Sequence, residues 1–268
     1  MIRQPAVAGR FYPANPEELS EMIREFLNDS ATKTPAIGIV APHAGYIYSG
    51  HVAGAVYSIV DVPRRCIVMC PNHTGYGPPL SIMKSGAWTT PFGQVAVDEP
   101  LSTALMRLDP MLEHDLDAHR YEHAAEVHLP FLQQIVGTNV SFVPITVGTG
   151  SWAELEALGE AIAATVRASA DPVLIVASSD LNHYESDSIT RVKDRKAIDK
   201  MLELDPRGLL ETVRREKISM CGYGPSAAMI VAAKRLGATT AELVKYATSA
   251  ETSGDFARVV GYAGIVVR

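Results

Sequence analysis

Short apolar runs alternate along the chain with longer stretches in which apolar residues recur at helical spacing. The apolar runs predict buried strands at residues 37–41, 66–70, 141–147, 173–177, 243–246 and 261–267. The longer stretches predict helices at residues 49–60, 99–108, 151–168, 189–204 and 225–236. Strands joined by crossover helices are typical of an α/β fold. We therefore expect a central sheet that is mostly parallel or mixed, with helices packed on it.

Two further segments carry local signals. Asn15 precedes Pro16 and two acidic residues, which is the pattern of a helix start, and it predicts a helix over residues 16–27. Residues 84–97 combine turn residues with alternating apolar and polar positions, so they predict a hairpin or an irregular arm. No repeat, low-complexity tract or linker interrupts the chain, which favours a single domain over residues 1–268.

Composition and charge narrow the class of partner. Hydrophobic residues make up 47% of the 268 residues and charged residues 20%, as in ordinary globular proteins. The formal net charge of -6 provides no basic surface for phosphates, which argues against nucleic acid. No apolar run reaches the roughly 18 residues of a membrane-spanning helix, and residues 1–10 lack the apolar core of a signal peptide. We expect a cytoplasmic protein that binds neither nucleic acid nor membranes.

The three cysteines are too few for a disulfide framework in a chain of this length. Cys66 and Cys70 lie within one predicted strand and are interpreted as small core residues. Cys221 differs because it stands in a glycine-rich turn before the apparent helix start at Pro225. The positive end of a helix dipole stabilises a thiolate, so Cys221 is a candidate ligand or reactive group as well as a candidate inert thiol.

Three histidines follow predicted buried strands. His43 comes after residues 37–41, His73 after residues 66–70, and His183 after residues 173–177. Ligands of open α/β sheets bind beyond the carboxyl ends of the strands, where neighbouring loops meet. If the three strands are parallel neighbours, imidazoles from adjacent loops converge on one point. The pattern predicts a pocket that holds a metal ion.

A histidine pair with one acidic ligand is typical of non-haem Fe(II) sites, and zinc is the alternative. Three groups in this chain are candidates for the anionic ligand: Asp180, Glu126 and the thiolate of Cys221. Their positions in the sequence do not rank them. The sequence therefore predicts a metal site with two histidine ligands, and its third ligand is left open.

Residues 119–123 match the pattern H-x-x-E-H of a class of zinc peptidases. A five-residue pattern arises easily by chance, and this one lies in a polar segment rather than in a long amphipathic helix. We interpret it as a solvated loop. The phosphate-binding P-loop, the dinucleotide-binding glycine motif and the serine nucleophile elbow are absent from the sequence.

Together, the ordered motifs resemble the Memo family, the mediators of ErbB2-driven cell motility, whose prokaryotic members include the AmmeMemoRadiSam system protein B. The resemblance covers nearly the whole chain. It rests on residues 8–12 (AGRFY), 42–46 (PHAGY), 71–73 (PNH), 122–123 (EH), 126–130 (EVHLP), 179–184 (SDLNHY) and 221–225 (CGYGP).

The resemblance implies a three-layer α/β/α fold similar to the class III (LigB-type) extradiol dioxygenases, which use Fe(II) to open catechol rings. By motif, His43 and His73 take the places of the two metal histidines, and His183 takes that of the acid/base histidine. Cys221 stands where the dioxygenases have a carboxylate ligand, so the resemblance implies His43, His73 and Cys221 as the metal ligands. A thiolate is a softer ligand that suits copper, zinc or a differently tuned iron, so the departure argues against ring cleavage.

Three functions remain in competition. The first is a metal-dependent oxidoreductase acting on a small substrate, with Fe(II) as the expected metal and copper or zinc as alternatives. The second is a non-catalytic module that binds a peptide or a small ligand in the same cleft, and the third is a metal-dependent hydrolase. Asp180 and His183 are expected to act on the substrate. Candidates for the surroundings of the pocket are Glu126, His128, Phe11, Tyr12, Tyr46 and Tyr48.

Overall fold

The computed structural model describes all 268 residues of the chain, and its twelve strands form one sheet. The strands are β1 (Ile2–Arg3), β2 (Gly38–Ala41), β3 (Arg65–Pro71), β4 (Leu80–Ile82), β5 (Ala87–Thr90), β6 (Gly93–Val97), β7 (Glu113–His114), β8 (Ser141–Val147), β9 (Val173–Ser178), β10 (His183–Glu185), β11 (Ala241–Thr248) and β12 (Val259–Val267).

Ten α-helices and one short 3-10 turn, Glu126–His128, connect the strands. The helices are α1 (Pro16–Phe26), α2 (Tyr46–Ile59), α3 (Glu99–Leu108), α4 (Asp117–Arg120), α5 (Leu129–Val136), α6 (Trp152–Ala168), α7 (Asp187–Leu202), α8 (Pro206–Arg215), α9 (Tyr223–Arg235) and α10 (Ala250–Ser253). None of them combines the length and the apolar character that a membrane-spanning helix needs.

The middle of the sheet consists of parallel strands in the order β8, β3, β9 and β2. β12 pairs antiparallel with β2 on one side, and the hairpin of β5 and β6 extends the sheet beyond β8 on the other. The sheet is therefore mixed with a parallel centre. Because β3, β9 and β2 run side by side in one direction, the loops that follow them emerge at the same edge.

Two hydrophobic layers cover the two faces of the sheet. Alternate residues of β3 point to opposite faces: Cys66, Val68 and Cys70 pack in one layer, and Ile67 and Met69 in the other. The first layer includes side chains of α1, α2 and α5, and the second includes side chains of α3, α6, α7, α8 and α9. The predicted α/β fold with three layers is confirmed.

Most predicted elements are present, with ends that shift by a few residues. The strand at residues 141–147 and the helix at residues 99–108 have the predicted bounds. Asn15 caps α1 by accepting a hydrogen bond from the backbone N–H of Glu18, and residues 84–97 contain the hairpin of β5 and β6. Cys66 and Cys70 are buried core residues, as expected.

Helix α8 was not predicted. Its sequence is mostly polar, so its narrow apolar face, formed by Leu209, Leu210 and Val213, does not stand out as an apolar run. The start signal is nevertheless present, because Asp205 accepts a hydrogen bond from Gly208 N and Pro206 occupies the first turn. Capping chemistry would have located this helix where hydrophobicity did not.

Candidate metal centre

The carboxyl ends of the three central strands bring the candidate residues to one edge of the sheet. His43 lies two residues beyond β2, and His73 lies two residues beyond β3. β9, which lies between β2 and β3, leads into Asp180 and then into His183 at the start of β10. The ring centroids of His43 and His73 are 5.2 Å apart. The predicted convergence of histidines at this edge is thus present for this pair.

A third histidine, His123, completes the group. One ligand nitrogen from each of His43, His73 and His123 lies within 4.8 Å of the other two. The ring of His123 stacks on that of His73 with centroids 4.8 Å apart, and it meets the ring of His43 edge-on at 5.5 Å. The three side chains lie close enough to hold one metal ion.

His123 belongs to the segment that we interpreted as a solvated loop, and that interpretation is wrong. His119 and Glu122 are buried and His123 is half-buried, because the segment packs against the sheet edge. α4 ends at Arg120, so His119 and His123 do not share a helix as a zinc peptidase motif requires. His119 instead contacts Thr146 and the ring of Trp88.

Glu122 orients the second histidine. Its carboxylate accepts hydrogen bonds from the backbone N–H of His73 at 2.6 Å and from Nδ1 of the same residue at 2.9 Å. Burial lowers the pKa of His73, but the hydrogen bond and the charge of Glu122 outweigh it, and the net shift is upward. Since Nδ1–H is donated to the carboxylate, Nε2 is the nitrogen of His73 left for a metal.

His43 is buried behind the other two. Its backbone N–H donates to Asp180 at 2.8 Å, and its Nδ1 lies 2.8 Å from Ser178 Oγ. Burial, followed by the charges of His123 and His73, lowers the pKa of His43 well below its ordinary value. A neutral imidazole whose Nδ1 is already engaged offers Nε2 as a ligand, which is the arrangement of metal-binding histidines in proteins.

Cys221 lies in the turn before α9, at the same edge of the sheet, where the backbone N–H of Asp180 donates to its Sγ. Its Sγ lies 3.2 Å from His43 Nε2, close to the roughly 3.5 Å that separates sulfur and nitrogen ligands of one tetrahedral ion. It is not among the three residues whose ligand atoms lie mutually within 4.8 Å. Gly222 permits this position, because a Cβ there would clash with Ser178 O and the Ser179 side chain.

The expectation that the helix start favours the Cys221 thiolate requires a correction. Burial and then the charge of Asp180 raise the pKa of the thiol, and the neighbouring backbone N–H groups offset this only in part. Without a metal, Cys221 therefore carries its proton. A metal that bound its sulfur would have to displace that proton.

Asp180 and His183 lie beside the group. Asp180 Oδ2 is 3.9 Å from His43 Nε2, and burial raises the pKa of this carboxyl to about 7. His183 Nδ1 lies 2.9 Å from the carbonyl oxygen of Ser219, to which it donates, so its Nε2 carries the free lone pair. Burial is the largest influence on the pKa of His183 and lowers it.

Glu126 does not lie among the ligand atoms. Its two oxygens accept hydrogen bonds from Arg3, Tyr12 and the backbone N–H groups of Ala6 and Val7. These contacts hold the N-terminal segment at the sheet edge. Both carboxylate oxygens already accept hydrogen bonds and are not available to a metal. Of the three anionic candidates, Asp180 and Cys221 remain next to the histidines.

The other candidates for the surroundings take different places. The ring of Phe11 meets that of His123 edge-on, with centroids 4.8 Å apart. Tyr46 is buried in the core, where it donates to Val127 O, and Tyr48 packs against Tyr262. His128 lies behind His43, with Nε2 2.8 Å from Ser178 Oγ.

The donor set fits a divalent transition metal. Three imidazoles, a thiol and a carboxyl group are the ligand types that iron, copper and zinc accept in proteins. Two of the imidazoles already donate Nδ1–H or engage it with protein oxygen atoms. The ligand nitrogens of one tetrahedral ion lie roughly 3.3 Å apart, so binding an ion would draw the three imidazoles closer together.

Replacing Glu122 by glutamine is expected to lower the pKa of His73 in the metal-free protein, from above the ordinary histidine value to below it. The charge of Glu122 raises this pKa, whereas burial lowers it. Once the charge is removed, the effect of burial is larger than the remaining upward effects, and the pKa falls. The measurement is an NMR titration of the histidine rings, with His51 on α2 as the internal reference. A pKa of His73 that is unchanged by the substitution would contradict the assigned role of Glu122.

Comparisons with known proteins match nearly the whole length of the chain to one protein family. A sequence model for the family described as Memo-like protein matches residues 3–266. A MEMO1 family protein of Methanopyrus kandleri is 44% identical over 283 residues, which cover 100% of this chain and 99% of the relative. MEMO1 family proteins of Methanosarcina barkeri (42% identical; 99% and 100% covered) and Sulfolobus acidocaldarius (41% identical; 99% and 99% covered) are similar over comparable lengths.

Proposed function

The chain belongs to the Memo-like protein family, and we propose that it is a metal-dependent oxidoreductase that acts on a small molecule. His43, His73 and His123 would hold a single divalent transition metal, Fe(II), and Cys221 lies beside them, with its Sγ 3.2 Å from His43 Nε2. The observation that carries the proposal is the group of three histidine nitrogens within 4.8 Å of one another. This proposed set differs from His43, His73 and Cys221, the set that the resemblance implies.

When bound, the iron supplies open coordination positions and a reversible one-electron couple. The protein residues around it bind the substrate and move protons. His183 presents the lone pair of Nε2 and is neutral because burial lowers its pKa, so it accepts a proton from the substrate. Asp180 holds the His43 loop through the backbone N–H of His43 and presents its second oxygen to the site.

A cavity beside Cys221 supports a small substrate. It has a volume of about 160 Å³, well below the roughly 300–1,000 Å³ of pockets for drug-sized ligands. Asn72, Thr149 and Tyr223 are among the residues that line it. Cys221 lines this cavity but none of the three histidines does. The space is too small for more than a fraction of a peptide, which favours a small molecule over a peptide as its occupant.

The test is purification without oxygen, reloading with Fe(II), and measurement of both metal content and redox behaviour. We expect one iron per chain that is oxidised and reduced reversibly, with a midpoint potential that shifts in Cys221→Ser because a thiol next to the iron is replaced by a harder hydroxyl. Protein that binds iron weakly, or whose iron does not change oxidation state, would refute the oxidoreductase.

A zinc-dependent hydrolase is the second candidate, and one observation favours it. The chain brings three histidines together, and three histidines are a common ligand set of catalytic zinc, which activates a bound water. The same purification separates the two functions. Retention of zinc after anaerobic iron loading, together with hydrolysis of ester or amide substrates, would support the hydrolase and reject the oxidoreductase.

A further inference from the structure

A continuous chain of buried hydrogen bonds runs from His43 into the core. His43 Nδ1 and His128 Nε2 each lie 2.8 Å from the hydroxyl oxygen of Ser178, and the hydroxyl of Tyr57 lies 3.0 Å from His128 Nδ1. All four side chains are at most 2% exposed. They are therefore closed off from water, and each of their polar atoms must find its hydrogen-bond partner inside the protein.

Ser178 determines the direction of the bonds. Its hydroxyl has one hydrogen and also lies 2.7 Å from the carbonyl oxygen of Ala124, which can only accept. The serine hydrogen is therefore donated to Ala124, since otherwise two oxygens would face each other without a proton between them. It follows that both imidazoles donate to Ser178, His43 through Nδ1–H and His128 through Nε2–H.

Tyr57 is the hydrogen-bond donor at the other end of the series. A neutral histidine that donates through Nε2–H must accept at Nδ1, and the hydroxyl of Tyr57 is the donor that faces this nitrogen. Burial raises the pKa of Tyr57 well above its ordinary value, so the phenol keeps its hydrogen. Every donor in the chain has one acceptor, and no second arrangement satisfies all of them while the imidazoles are neutral.

We propose that Tyr57, His128 and Ser178 are positioning residues that fix the tautomer of His43 with the hydrogen on Nδ1 and the free lone pair on Nε2, facing His73, His123 and Cys221. The proposal rests on the metal centre proposed above and deepens it. This hydrogen-bonded series orients the His43 ring as a metal ligand and does not conduct protons. Both imidazoles donate to Ser178, and the hydroxyl hydrogen of Ser178 is donated to Ala124.

The direct test is ¹⁵N NMR of the histidine rings in the metal-free, full-length wild-type protein. Nδ1 and Nε2 have different shifts according to which of them carries the hydrogen. We expect His43 to be the Nδ1–H tautomer and His128 the Nε2–H tautomer. If His43 carries its hydrogen on Nε2, or if its two tautomers are mixed, the proposal is overturned, and no substitution is needed to see this.

Two variants and one matched control extend the test. Tyr57→Phe removes the donor to His128, and Ser178→Ala removes the acceptor of both imidazoles. Tyr46→Phe is the control, because Tyr46 lies on the same helix, packs on the same Phe131 ring and loses one buried hydrogen bond, to Val127, outside the chain. We expect mixed tautomers of His43 and roughly 10- to 100-fold weaker Zn²⁺ binding in the two variants, with the wild-type tautomer in the control.

The same data separate this proposal from the proposed function. Wild-type protein that shows the Nδ1–H tautomer but binds neither Fe(II) nor Zn²⁺ would refute the metal centre and leave the tautomer assignment standing. Protein that binds metal while His43 carries its hydrogen on Nε2 in the metal-free state would do the reverse. Equal tautomer changes in Tyr57→Phe and Tyr46→Phe would also overturn the proposal, since general destabilisation would then explain both.

Discussion

After anaerobic loading, we expect His123→Ala to lose nearly all of the iron that the proposed function predicts for the wild-type protein. His123 is one of three histidines whose ligand nitrogens lie within 4.8 Å of one another, and its removal leaves two imidazoles. The loss of affinity should exceed the roughly 10- to 100-fold that follows removal of a group that only supports a ligand. The measurement is metal analysis of the purified variant together with competition against a chelator.

Cys221→Ser and His51→Ala provide the comparison. Cys221 lies 3.2 Å from His43 Nε2 but outside the group of three, so its serine variant should keep iron with lower affinity and a changed potential. His51 lies on α2 away from the site and should behave as wild type. If Cys221→Ser loses the iron while His123→Ala retains it, the ligand set is His43, His73 and Cys221, as the sequence suggested.

The contrast between His73 and His123 explains how far sequence alone could reach. His73 directly follows a buried apolar strand, and the rule that ligands bind beyond the carboxyl ends of parallel strands needs only the strand pattern. His123 lies in a polar connection with no periodicity. Its position depends on Arg3, whose guanidinium donates to the carbonyl oxygens of His119 and Glu122 from more than 100 residues away. No local pattern encodes such a contact.

The sequence could not rank the three candidates for the anionic metal ligand either, because long-range contacts decide among them. Glu126, Asp180 and Cys221 all bear ligand atoms, and their chemistry alone makes each a reasonable choice. What removes Glu126 is that four groups of the N-terminal segment occupy its oxygens. The protonation of Cys221 likewise depends on burial and on Asp180, which outweigh the helix start visible in the sequence.

Arg3→Met is expected to cause the largest loss of stability among single substitutions near the site. Arg3 and Glu126 form a buried ion pair at 2.6 Å, with side chains 6% and 0% exposed. Removing one partner of such a pair leaves a buried charge without compensation, which costs about 3–5 kcal/mol. The guanidinium also stacks on Trp88 at 3.9 Å and donates to two carbonyl groups of the loop. Urea denaturation followed by circular dichroism measures the free energy of unfolding.

Two further variants separate the buried pair from a general effect of charge. Arg207→Met removes the partner of Glu211 on the surface of α8, where both side chains are more than half exposed, and should cost at most about 0.5 kcal/mol. Arg3→Lys keeps the charge but loses the planar fork that reaches Glu126 and both carbonyls, so an intermediate loss is expected. A cost for Arg3→Met no larger than for Arg207→Met would contradict the role of Arg3.

The stability of this loop also bears on metal binding, because Arg3 holds the segment that presents Glu122 and His123. A metal that binds only the folded protein raises the free energy of unfolding by an amount set by its affinity. Arg3→Lys should therefore lower stability in the metal-free protein and also reduce the further stabilisation by Zn²⁺. In His123→Ala the second effect should appear with little of the first, since Arg3 bonds to backbone oxygens of His119 and Glu122 and not to the His123 ring. The two variants thus distinguish a residue that holds the loop from one that holds the metal.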